Sequence, residues 1–156
     1  MFQSPTLGTL DLDQVRKRVL EFMASSPEHK YQLVIGTDSQ PKNGLGCDFI
    51  TAIIVHRIGV GGIYFWRRTI EKKNTVLRAR IYHEAALSLA CADEFVQVCR
   101  NDGISKYDVE IHVDIGKYGK TSEMIAEVVG MIRGSGFAVK TKPDAYGASK
   151  VADRHT

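Results

Sequence analysis

Cysteine is scarce in this 156-residue chain, which carries only Cys47, Cys91 and Cys99. They form no CxxC pair, and an odd number in a chain this short argues against a disulfide framework, so buried thiols in a reducing compartment are expected. Long apolar runs are missing as well: nothing approaches the roughly 20 residues that a membrane-spanning helix needs. The opening "MFQSPTLGTLDLDQ" lacks the charged and apolar regions of a signal peptide, so the expected location is cytoplasmic, without membrane insertion. Charge of one sign is also weak. A formal +3 permits a polyanionic partner without demanding one. No repeat, low-complexity tract or linker interrupts the chain. With 44% hydrophobic and 25% charged residues, the expectation is a single domain over 1–156, in which residues 1–30 form an N-terminal helical extension.

The pattern of apolar residues supplies the elements. "DLDQVRKRVLEFMASSP" places Leu12, Val15, Val19, Phe22 and Met23 on one side of a helix that Pro27 should end. "YQLVIGTD" reads as a first strand. "DFITAIIVHRI" and "GIYFWRRTI" are β-branched and aromatic runs joined by "GVGG", which predicts an antiparallel hairpin. A long helix follows, capped by Asn74 or Thr75 and closed at Gly103. "KYDVEIHVDIG" alternates strictly, with Glu110, His112 and Asp114 on its polar face. Met124, Ile125, Val128, Val129 and Ile132 then recur at helical spacing, "FAVKTK" reads as a fifth strand, and "DAYGASKVADRHT" as a terminal helix. This order predicts an α/β fold with a five-stranded mixed sheet and helices packed on it.

Four acids stand where a core has little use for them. Desolvating a carboxylate costs several kcal/mol unless something compensates it, yet Asp38 and Asp114 end apolar strands. If a right-handed crossover makes the first and fourth strands parallel neighbours, these two come close enough to repel, which invites a cation or a shared proton. On the long helix, Leu77, Glu84, Cys91 and Val98 share nearly one line, so Glu84 leans towards the sheet. On the terminal helix, Ala145, Ala148, Ser149 and Ala152 form a small-residue face that Asp153 continues. Hard oxygen donors of this kind suit Mg²⁺ or Mn²⁺ rather than zinc. Two such ions about 4 Å apart serve phosphodiester hydrolysis.

The segments "IGTDSQ", "YHEAALSLA" and "VDIGKYGKTSEMIAEVVGMIRGSGFAVKTKPDAYGASKVADR", with their element order, resemble the ribonuclease-H-like YkuK family from about Tyr31 onward. The resemblance implies a ribonuclease-H-like fold with expected strands in the order 3-2-1-4-5, the second antiparallel to the rest, and helices on both faces. It also implies a metal-dependent nuclease acting on nucleic acid with two divalent ions. Carried over, Asp38 is the bridging acid and Glu84 the acid of the first crossover helix. Asp114 ends the fourth strand, and Asp153 is the terminal-helix acid, with Asp144 its rival. RNA, RNA–DNA hybrid and DNA all remain open as substrate, as does a non-catalytic module that binds nucleic acid or a nucleotide.

Other motifs are weaker. "DIGKYGKT" fails as a P-loop because Asp114 stands where that motif requires glycine, although the turn through Gly116, Gly119 and Thr121 retains amides suited to a phosphate. "HEAAL" breaks the zinc-protease pattern at Leu87. His112 reads as a water-orienting group or a core histidine, and His155 as a proton-transfer group or part of a frayed end. The basic run Arg67, Arg68, Lys72, Lys73, Arg78 and Arg80 suits phosphate contacts or a solvated face. Lys117, Lys120, Thr121 and Arg80 are the expected substrate contacts.

Overall fold

The computed structural model describes all residues except Asn74, Thr75 and Thr156; for Gly147, Ala148, Ala152 and Asp153 it describes the helical backbone alone. Asp11 starts helix α1 (Leu12–Ser25) by accepting the Gln14 N–H while the Gln14 side chain accepts the Asp11 N–H. This capping box satisfies two otherwise orphaned amides, and the helix buries Val15 and Val19. Strand β3 (Tyr31–Pro41) pairs along its full length with β4 (Cys47–Arg57), which in turn pairs with β5 (Gly61–Glu71), both antiparallel. Gly59 at φ 84° and Gly61 at φ 129° make the expected turn between β4 and β5.

Helix α2 (Leu77–Val98) crosses back to β6 (Val109–His112), which lies parallel to β3 as expected. A 3₁₀ turn (Ser122–Met124) leads into α3 (Ile125–Gly134), and β7 (Ala138–Lys140) pairs parallel with β6. Helix α4 (Gly147–His155) ends the fold. The main core gathers Val15 and Val19 of α1, Ile81 and Phe95 of α2 and Val128 and Ile132 of α3 against Ile35, Ile53 and Ile111 of the sheet. On the opposite face Val151 of α4 packs on Ile50 and Ala52. Helices therefore cover both faces.

Three expectations need correction. The sheet has seven strands in the order β2-β1-β5-β4-β3-β6-β7, not five. The five expected strands keep their relative order inside it, but β1 (Phe2–Ser4) and β2 (Gly8–Leu10) extend it beyond β5. The N-terminal extension is therefore a hairpin plus a helix rather than helical throughout. Three-residue strands are too short to show alternation, so pattern reading passes over them. Second, α2 stops at Val98 rather than continuing to Gly103, and Asp102 N–H closes a turn on the Cys99 carbonyl. Third, β6 ends at His112, two residues before Asp114. The proposed caps Asn74 and Thr75 lie outside the described residues; Val76 precedes α2 and makes no side-chain cap bond.

Candidate active site

The register of β3 and β6 brings two of the expected acids together. Gly36 and His112 are the last paired residues, and two positions further along each chain stand Asp38 and Asp114. Asp38 is half-buried in the long β3, held in place by pairing with β4 opposite Ile50. Asp114 is partly exposed in the loop that follows β6, where the Lys142 ammonium lies 3.1 Å from its Oδ1.

Glu84 comes from α2 and is 7% exposed. Its neighbour on the sheet is Ser39, whose hydroxyl donates to Glu84 Oε2 and accepts from Arg80 Nη1 at 3.2 Å. Alternation explains the partner: Asp38 and Ser39 are adjacent on one strand, so their side chains leave on opposite faces. One helical turn along, Ser88 repeats the arrangement by donating to Thr37 Oγ1 at 2.8 Å, and Thr37 shares a 3.0 Å hydroxyl contact with Thr51. These bonds fix the rotation of α2 on the sheet and thereby the direction of Glu84. Burial pushes the Glu84 carboxyl up to about 8; the charges of Asp38 and Asp114 add to that, and Ser39 and Arg80 oppose it.

Asp38, Glu84 and Asp114 line one open cavity of about 410 Å³, together with Ser39, Arg80, Lys120, Thr121 and Lys142, a volume on the scale of a small-ligand site. Three acids thus share one cavity with three cations; Asp38 does not end its strand as expected, since β3 runs on to Pro41, and Asp114 lies beyond β6. Three of the four expected substrate contacts, Arg80, Lys120 and Thr121, line this cavity, while Lys117 is exposed and outside its lining. The side chain of Asp153 lies outside the described residues; its backbone belongs to α4. Its rival Asp144 is exposed in a turn and does not line the cavity.

Carboxylate oxygens are the donors a hard divalent cation takes, and Asp38, Glu84 and Asp114 all line this cavity. Among the described residues, however, no three His, Cys, Asp or Glu side chains are grouped closely enough to hold an ion. Asp114 instead has the Lys142 ammonium as its partner.

The remaining singled-out residues serve packing. His112 is buried, accepts the Tyr146 N–H on Nδ1 at 3.2 Å, and lies 3.4 Å from Glu110 through Nε2. It belongs to the anchorage of α4. His155 is docked rather than frayed: its ring stacks on Trp66 at 4.3 Å and meets the Tyr64 hydroxyl at 2.9 Å. His83 stands edge-on to Phe49. The basic run disperses, with Arg67 paired to Glu94, Arg68 to Asp48 and Arg78 to Glu127; Arg80 alone of these lines the cavity. All three cysteines are free and buried.

The sequence profile of the Ribonuclease H-like family matches residues 14–156. The chain belongs to the ribonuclease H-like family. An uncharacterized protein, YkuK of Bacillus subtilis (strain 168), is 31% identical over 171 residues, covering 100% of this chain and 96% of its own length. No solved structure matches the chain at a significant level. Family membership accounts for the sheet order around β3. Sequence reading missed two members of the site, Ser39 and Lys142. The first was signalled by its place beside Asp38 on a strand whose alternate face meets the Glu84 line of α2. The second lies in "KTKPD", just beyond the last strand, where attention to acids favoured Asp144.

Proposed function

We propose that this ribonuclease-H-like protein hydrolyses nucleic-acid phosphodiester bonds with Mg²⁺ or Mn²⁺. The observation that carries this reading is the meeting of Asp38, Glu84 and Asp114, from β3, α2 and the loop after β6, on one cavity that also presents Arg80, Lys120 and Lys142. Asp38, Glu84 and Asp114 would hold the divalent ions, two in the full form of the reading, with Asp153 of α4 as the fourth acid. When bound, such ions lower the pKa of a coordinated water and draw off charge developing on a phosphate.

The protein's own side chains do the rest. Asp38 and Asp114 fix one end of the site through strand register, while Ser39 and Arg80 orient Glu84. Lys120 and Thr121, at the entrance to the 3₁₀ turn before α3, present an ammonium and a hydroxyl to the backbone of the bound strand. In hydrolysis a water oxygen bonds to phosphorus and the bridging P–O bond breaks, leaving a phosphate and a hydroxyl. Among the described residues, no helix is long and apolar enough to cross a membrane, and the three free thiols accord with a cytoplasmic setting for the whole domain.

The test is cleavage of a labelled panel of RNA, RNA–DNA hybrid, single- and double-stranded DNA and a branched junction, with Mg²⁺ or Mn²⁺. Wild type should cut at least one member, and Asp38→Asn and Asp114→Asn, purified identically and folded, should each lose at least 100-fold. A folded but inert wild type that still binds a member of the panel would instead identify a binding module of the same fold.

A further inference from the structure

Lys142 stands in the site without having been among the acids and phosphate contacts expected there. Its ammonium lies 3.1 Å from Asp114 Oδ1, and it lines the cavity shared by Asp38 and Glu84. Two features hold it in that position. Its backbone N–H donates to the Ile115 carbonyl at 2.8 Å, tying the segment after β7 to the loop that carries Asp114. Its stem passes over Gly116, where a Cβ would come within 3.2 Å of the Lys142 Cβ; the absence of a side chain at 116 leaves that path open.

The pair is poorly suited to a purely structural role. Its side chains are 55% and 37% exposed, and ion pairs so open to water add little to stability. A weak pair at a charged cavity exchanges readily. A divalent ion on Asp114 offers that carboxylate twice the charge of an ammonium, and a displaced Lys142 remains tethered beside it by the Ile115 bond.

We infer that Lys142 is a counter-ion switch: it pairs with Asp114 until a divalent ion takes that carboxylate, and the released ammonium then meets a phosphate of the nucleic-acid substrate. The inference rests on the nuclease reading for its ligands but makes a separate claim. Ion and polyanion become positively coupled, since each favours the state in which Lys142 has left Asp114, and such coupling is reciprocal. Lys142 therefore opposes the ion and supports the nucleic acid, two effects of opposite sign.

Calcium, a hard divalent cation that takes oxygen ligands, serves as the probe ion. Calorimetric titration with Ca²⁺ and with Mg²⁺ is to be run on wild type, Lys142→Met and Lys142→Arg, alongside anisotropy of a labelled oligonucleotide with and without Ca²⁺. Lys142→Met should bind the ion about 3- to 10-fold more tightly than wild type and the oligonucleotide several-fold more weakly. Its oligonucleotide affinity should no longer rise with Ca²⁺, whereas Lys142→Arg should retain the coupling. Ion affinity that is unchanged or lower in a folded Lys142→Met protein overturns the switch, as does the failure of all three proteins to bind an ion. If the opposed effects appear but no nucleic acid is cleaved, the switch stands and the hydrolytic reading falls.

Discussion

Glu84 shows how much a single residue's surroundings decide. Its carboxyl is held near 8 by burial and by Asp38 and Asp114, well above the 4.5 of a free side chain. Between those two values the folded protein retains a proton that the unfolded chain has released. Stability of the ion-free protein should therefore fall as pH rises from about 5 to 8, at a limiting slope of about 1.4 kcal/mol per pH unit. Glu84→Gln removes the titration. Its melting temperature should exceed that of wild type at pH 8 and approach it at pH 5, with Mg²⁺ raising the wild-type value at pH 8 and leaving the variant unmoved. Parallel wild-type and variant curves across that range would show that Glu84 is ionised in the fold. The same residue illustrates what a sequence reveals: the line Leu77–Glu84–Cys91 turned it inward, but nothing in that line named Ser39 as its partner or set its proton affinity.

At the scale of the element, the strands that sequence reading identified are those long enough to display a period. β3, β4 and β5 are each 11 residues, and their β-branched and aromatic runs are unmistakable. β1 and β2 have three residues each and owe their existence to neighbours. β1 meets β5 through the single register pair of Gln3 and Trp66, so backbone pairing alone holds it weakly. Side-chain burial does more: Phe2 is 2% exposed, joins the main core with Leu10 and Phe65, and lies beneath the Arg67 guanidinium at 4.9 Å. Phe2→Ala should accordingly cost about 3 kcal/mol in denaturant unfolding, with cleavage of any substrate preserved. A loss below about 0.5 kcal/mol would mean that the hairpin contributes little to the fold.

The whole molecule is lopsided. One face of the sheet carries α1, α2 and α3 over a large apolar core, while the other carries α4 over the small cluster of Ile50, Ala52 and Val151. Polar and aromatic contacts make up much of the difference at the two ends of α4: Tyr146 donates to Gln32 and His112, and His155 stacks on Trp66. Elements with less buried apolar surface open at lower free energy than the global core. Native-state hydrogen exchange should find the amides of α4 exchanging at least 10-fold faster than the central amides of α2, and Val151→Ala should widen that gap. Equal protection of both helices would show that α4 unfolds only with the rest.

Sequence alone determined the α/β class, the three long strands, the main helices and the inward lean of Glu84, because each follows from local periodicity. Tertiary structure decided the rest. The N-terminal hairpin exists only where β5 offers an edge. The approach of Asp38 and Asp114 to one cavity depends on the parallel register of strands some seventy residues apart in the chain. Lys142 enters the site because β7 lies beside β6 and returns the chain to the loop after Asp114. Contacts between distant segments leave no period in the sequence of either one, and a lysine beyond a strand reads as solvated until the carboxylate it meets is placed beside it.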